Sequence, residues 1–288
     1  MVVARNGTPA GRLRRPGTAR AAGRPARLSE ETSTVVRERS DEVSMLGRAT
    51  WRELGDDRPL LVLPLGSTEQ HGPHLPLDTD TRVASAVAHG LAQRLEPLLV
   101  GAALPYGASG EHAGFPGTVS LGTQVLERVV VELVRSVDDT ARAVVLVNGH
   151  GGNTAALCSA RRILADEGRP VHLWAPTAAL AAAVGVPAAN RDLHAGRSET
   201  SLLLHLAPDL VRLDLAVAGP SPSLDDLLAH GVAALSPSGV LGDPGGASAA
   251  EGARLLDAYV DDAVERLLGW TRRQGLTPPA ARTVDRSA

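Results

Sequence analysis

Lysine is missing from this chain. All 29 cationic residues are arginine, which excludes a Schiff-base lysine and the lysine of a phosphate-gripping P-loop. Cys158 is the single cysteine. It cannot close an internal disulfide, as suits a cytosolic protein. Aromatics are scarce, with one Phe, two Tyr and three Trp, so little could stack on a small flat ring. No apolar run approaches the roughly 20 residues that span a bilayer. The N-terminal arginines are not followed by the apolar stretch of a secretory signal. These absences lead us to expect a cytoplasmic protein without a membrane partner. The charges nearly cancel, 29 basic against 32 acidic for a net of −3, and give no reason to propose nucleic acid as a partner. The G-x-S-x-G elbow, the G-x-G-x-x-G fingerprint and H-E-x-x-H are also absent. Ser109 lies in a glycine-rich loop but lacks nucleophile spacing.

The residues that are present read as a globular α/β protein. Its 288 residues, 43% hydrophobic and 21% charged, can enclose a sizeable core. Residues 1–44 are rich in Arg, Gly, Ala and Pro without apolar periodicity, which predicts a disordered arm. Met45 comes directly after, so part of that arm could come from an over-long start. Residues 45–270 alternate strand and helix patterns, and 271–288 read as a short tail. Strands are expected at 59–66, 97–105, 143–149 and 170–176. Helices are expected at 79–95, 121–139, 153–168, 198–208 and 248–270. Short apolar strands between helices imply a mostly parallel sheet covered on both faces.

Parallel sheets bind ligands beyond the carboxyl ends of their strands, and two strand ends here carry unusual residues. After the first comes Gly66–Ser67–Thr68–Glu69–Gln70–His71. In an extended segment Glu69 and His71 point the same way, and Asp80 at the start of the next helix can turn back to them. After the third comes Asn148–Gly149–His150–Gly151–Gly152–Asn153. A further cluster sets His194 five residues before Glu199. Imidazole and carboxylate without thiolate suit Zn²⁺, Mn²⁺ or Fe²⁺ in a hydrolytic site. A carboxylate such as Asp80 could bridge two ions, leaving His194 to move a proton. Each residue also has a plainer reading. Glu69 could cap a turn, Asp80 could cap a helix, and the GHGGN turn could cradle phosphate. His74 and Asp78 read as supporting or loop residues. His89, His172, His205 and His230 read as packing or surface positions, and Cys158 reads as a core thiol.

Four stretches in register, GSTEQHGPHLPLDTD, GEHAGFPGT, NGHGGN and HAGRSETS, resemble the creatininase family of metal-dependent amidohydrolases over roughly residues 46–270. The resemblance implies a three-layer αβα fold, a site for one or two divalent metals and often a hexameric assembly. It implies Glu69, His71, Asp80 and His150 as metal ligands, His194 as the catalytic histidine and Glu199 as the acid after it. Members that hydrolyse creatinine carry a glutamate two residues after the position of His150, and here that residue is Gly152. Glu199 could supply the missing carboxylate, or the second metal could be weaker or absent. The stretches LPYGASGEHAGFPGT, HAGRSETSLLL and SPSGVLGDPGGAS look most like a peptidase branch of that family, whose substrate is the C-terminus of a modified precursor peptide. On that reading Arg197 could pair with a peptide carboxylate, against a plain surface salt bridge. His112 could line the pocket, against a loop hydrogen bond. The rivals are a creatinine or formamide hydrolase of the same family and a metal-binding partner protein without turnover.

Overall fold

A computed structural model describes residues 43–54, 58–186 and 192–282. The expected arm therefore lies outside the described residues, except for its last two positions. Those two already belong to the fold: Val43 packs on the core and the Ser44 carbonyl accepts from Val100 N–H at 2.9 Å.

The apolar runs become four parallel strands. These are β1 (Leu60–Leu65), β2 (Leu98–Val100), β3 (Ala143–Asn148) and β4 (Val171–Trp174), in the order β2-β1-β3-β4. Leu60 pairs with both Leu98 and Ala143, so β1 is central. A proline inside a central strand is unusual because it cannot donate to the ladder. Pro64 falls beyond Val100, where β2 has ended, and its carbonyl accepts from Leu104 N–H at 2.9 Å. The second expected strand is accordingly shorter than 97–105. Its chain turns away after Gly101 and touches β1 again only at Leu104.

Alternation along β1 and β3 sorts the helices into two layers. Leu60, Val62, Ala143, Val145 and Val147 face α1 (Thr79–Arg94), α4 (Arg197–Leu206) and α5 (Ala249–Arg273). Leu61, Leu65, Val144 and Leu146 face α2 (Thr123–Ser136) and α3 (Thr154–Asp166). The result is the expected three-layer αβα sandwich. The tail expectation needs correction. Helix α5 continues to Arg273, and Ala280–Ala281 pairs antiparallel with Leu95–Glu96. Cys158 is also corrected: it is exposed on α3, because Ala156, Leu157, Ala160 and Leu164 take the inward positions of that helix. Among the described residues no helix is long and apolar enough to cross a membrane.

Candidate metal centre

Two glycines let the strand ends close on one helix. A Cβ on Gly66 would lie 2.3 Å from Thr81 Oγ1 and 2.4 Å from its backbone, and one on Gly149 would lie 2.4 Å from the Asp80 carbonyl oxygen. Only glycine permits that approach. It brings the ends of β1 and β3 against the first turn of α1, with Asp80 between them. Asn153 stitches the arrangement. Its amide group donates to the Gly66 carbonyl at 3.0 Å and to Asn148 Oδ1 at 3.1 Å, and its Oδ1 accepts from Ala108 N–H at 2.8 Å.

Asp80 is not a helix cap; its side chain turns inward. Ser67 Oγ donates to Asp80 Oδ2 at 2.6 Å. His71 Nε2 stands 3.1 Å from Asp80 Oδ1, and His150 Nδ1 stands 3.2 Å from Oδ2. Asp80 thus lies between two imidazoles, one from each strand end. Glu69 approaches His150 Nε2 and His112 Nε2, each at 3.2 Å. Glu199 Oε2, from the first turn of α4, lies 3.9 Å from His71 Nε2 and accepts from Ala195 N–H at 2.6 Å. The potential ligand atoms of Glu69, Asp80 and His150 lie within 4.8 Å of one another, as do those of His71, Asp80 and Glu199. Asp80 is common to these two groups, and a third joins Glu69, His71 and His194.

This donor set fits divalent cations. Both oxygens of Glu69 are buried without a well-directed hydrogen bond, despite the two imidazoles nearby. A buried carboxylate in that condition costs free energy unless a cation faces it. The titration pattern agrees. Burial, reinforced by Asp80, lifts the Glu69 carboxyl to about 7. Burial lifts Glu199 to about 7 as well. Burial alone would lower His71, but the charge and hydrogen bond of Asp80, with Glu199 and Glu69, raise it to about 10. His150 is likewise raised against its burial, by Asp80 and Glu111. Burial acts against ionisation of Asp80, yet His71 and His150 hold it well below the usual carboxylate range. Without a cation, imidazolium protons supply the positive charge that the carboxylates need.

His194 arrives from the opposite side. The chain enters α4 through Ala195, which sits at φ 52° in the left-handed region, and such strain in a non-glycine residue often marks a functional turn. Leu241 pins this turn by exchanging backbone hydrogen bonds with His194, at 3.1 and 2.9 Å. His194 Nε2 faces the Gln70 carbonyl at 2.7 Å. A carbonyl only accepts, so Nε2 carries the proton and the Nδ1 lone pair is free, 3.9 Å from Glu69 Oε1. Burial, with the charges of His71 and His112, keeps this imidazole neutral by holding its pKa well down. The two amide hydrogens of Gln70 then go to His112 Nδ1 at 2.9 Å and the Gly239 carbonyl at 3.2 Å. That leaves the proton of His112 on Nε2, 3.2 Å from Glu69 Oε1 without the alignment of a hydrogen bond.

The structure brings Glu69, His71, Asp80, His150, His194 and Glu199 together. His112 lies inside the cluster but against Glu69 rather than as a simple pocket wall. Arg197 is a correction. Its guanidinium forks onto Glu251, with Nε–Oε1 at 2.9 Å and Nη2–Oε2 at 2.8 Å, so its donors serve α5 instead of a peptide carboxylate. His74 supports the site through Thr200 Oγ1 at 3.0 Å, while Asp78 pairs with Arg82 on the surface. Sequence reasoning missed Ser67 and Gln70. Both lie within the motif, and nothing in their spacing reveals which polar side chain turns inward.

A family model described as Creatininase: Creatinine amidohydrolase matches residues 47–267. The chain is 48% identical over 241 residues to the mycofactocin precursor peptide peptidase of Mycobacterium tuberculosis (strain CDC 1551 / Oshkosh), covering 79% of this chain and 92% of that protein. It is 32% identical over 201 residues to the creatinine amidohydrolase of Pseudomonas putida, covering 61% and 76%. A solved structure titled Creatininase Mn superposes with a TM-score of 0.66 at 28% identity, over 82% of this chain and all of that one (100%). A mutant creatininase of Zn-Zn type gives 0.65 at 29% identity, over 81% and 98%.

Proposed function

The chain belongs to the creatininase family, and from that premise we propose that it is the peptidase of a mycofactocin system. It removes the C-terminal Val-Tyr dipeptide from the modified precursor peptide. The family is one of hydrolases, and this chain is one. The substrate assignment is our reading, supported by similarity to the mycobacterial peptidase along 92% of that protein. The observation that carries the catalytic reading is the unprotonated Nδ1 of neutral His194, turned into the cluster 3.9 Å from Glu69 Oε1.

Glu69, Asp80 and His150 would hold one divalent ion and His71, Asp80 and Glu199 a second, drawn from zinc, iron and manganese. When bound, such an ion polarises the scissile carbonyl and brings the pKa of water to about 7. The chain's own groups do the rest. The free Nδ1 of His194 accepts a proton from the water that adds to the amide carbon. The C–N bond then breaks, and His194 returns that proton to the departing amine nitrogen. The Gln70 carbonyl holds the ring's other nitrogen throughout, so the same atom takes and gives the proton.

Creatinine is the weaker alternative, since Gly152 replaces the glutamate of members that hydrolyse it. A formamide is the other family substrate considered. The apolar side chains exposed between residues 210 and 228, with Leu228 at 72% and Leu224 at 59%, fit our expectation of a homo-oligomer.

The test loads the purified chain with Zn²⁺, Mn²⁺ or Fe²⁺ in turn and tracks product masses from a C-terminally modified precursor peptide. Release of Val-Tyr is expected. Intact peptide, with creatinine or a formamide hydrolysed instead, would move the substrate to another branch of the family.

A further inference from the structure

Gly152 leaves more than a gap in the ligand set, because another side chain occupies its space. A Cβ on Gly152 would lie 2.2 Å from Glu111 Oε1, 2.4 Å from the Ala108 carbonyl oxygen and 2.5 Å from His150 Nε2. Glu111 comes from a different element, the single 3-10 turn Gly110–His112. Its Oε1 stands 3.4 Å from His150 Nε2 and its side chain is 20% exposed. The carboxylate of Glu111 thus sits at the root of the side chain that Gly152 lacks, not out at its tip. It also falls outside all three groups of potential ligand atoms found among the described residues.

His150 must offer a lone pair to a metal from one ring nitrogen and keep a proton on the other. Nδ1 faces Asp80 Oδ2 at 3.2 Å. Nε2 is ringed by acceptors: Glu69 Oε2 at 3.2 Å, the Ala108 carbonyl at 3.3 Å, Glu111 Oε1 at 3.4 Å and Ser109 Oγ at 3.5 Å. With Glu69 committed as a ligand, Glu111 is the charged acceptor left to Nε2–H. We propose that Glu111 is a positioning residue for His150: it accepts Nε2–H and so leaves the Nδ1 lone pair, beside Asp80, for the metal. Gly152 is the complement of this arrangement, because any side chain there would displace the Glu111 carboxylate. A carboxylate behind a metal-bound imidazole fixes its tautomer and raises its basicity. Glu111 then does not take the place of the missing glutamate as a ligand. It strengthens a ligand the chain already has.

The inference rests on the metal-site reading but not on the identity of the peptide. It is tested on the full chain stripped of metal and titrated with Co²⁺ against a competing chelator, comparing wild type with Glu111→Gln and Glu111→Asp. Glu111→Gln should bind the same number of ions at saturation with an unchanged pattern of visible bands, but one site should weaken by roughly 10–100-fold. Glu111→Asp, which keeps the charge, should recover part of that loss and carries the same readout if the glutamine variant does not fold. Affinity within about twofold of wild type would reduce Glu111 to a space filler and overturn the proposal, given the size of outer-shell effects. Loss of one ion at saturation, with altered bands, would make Glu111 a ligand and overturn it as well. A wild-type chain that takes up no ion would overturn this inference together with the metal-site reading, whereas failure to cleave the peptide would leave it standing.

Discussion

The two sides of the cluster are built differently. The side formed by the ends of β1 and β3 is stiff: Gly66 and Gly149 press the backbone against α1, and the side chains of Ser67, Asn148 and Asn153 tie the two strand ends in place. The side formed by residues 192–199 is a turn that enters α4 through a left-handed Ala195 and is held mainly by Leu241. The stiff side carries Glu69, His71, Asp80 and His150. The turn carries His194 and Glu199. Cations demand a fixed donor geometry, so most of their ligands belong on the stiff side, with Glu199 alone reaching in from the turn. A proton carrier must meet two different atoms in one turnover, so a separately anchored turn suits it.

The largest effect should come from the residue at the centre of the stiff side. Asp80→Ala removes the carboxylate shared by both ligand groups and leaves His71 and His150 facing nothing anionic between them. Elemental analysis should find both ions lost and hydrolysis at background. A variant retaining one ion would show that the groups do not depend on a common bridge. The turn should behave otherwise. His194→Ala should lower kcat by roughly 10²–10⁴-fold, the usual range for general acid–base catalysis, while metal content stays at the wild-type value. If metal is lost along with activity, the division between the two sides fails.

The smallest effect is a proton balance confined to the stiff side. In the metal-free protein His71 titrates at about 10 and Glu69 at about 7, and both must give up protons to bind a cation. Metal affinity should therefore rise with pH between about 7 and 10. Calorimetric heats should vary with the ionisation enthalpy of the buffer, and heats that do not vary would refute the charge exchange. The stability of the metal-free form depends on the same proton. The His71 contribution is complete below pH 6.5 and is lost as pH rises through about 10. The metal-loaded form should lack that slope.

Much of the fold and of the site is legible in the sequence. The runs at 59–66 and 143–149 become β1 and β3 because continuous apolar stretches of that length are buried on both faces of a parallel sheet. Glu69, His71, Asp80 and His150 stand out because strand ends are where such a sheet presents polar groups. The second strand is shorter than its apolar run suggests, since beyond Gly101 the chain turns away and pairs with β1 again only at Leu104. Arg197 misleads because a sequence shows that an arginine is near a site but not which carboxylate its fork meets. Cys158 misleads because helical periodicity alone does not fix which residues of that helix face inward.

The sequence by itself determined the order of strands and helices, the types of ligand available and the absence of lysine chemistry and of an internal disulfide. These come from local periodicity and composition, which tertiary contacts cannot alter. Only the tertiary structure decided that Asp80 stands between His71 and His150, that Gln70 sets the proton of His194 and that Glu111 fills the room beside Gly152. Each of these depends on side chains far apart along the chain meeting within about 3.5 Å, and no spacing within one segment encodes that meeting.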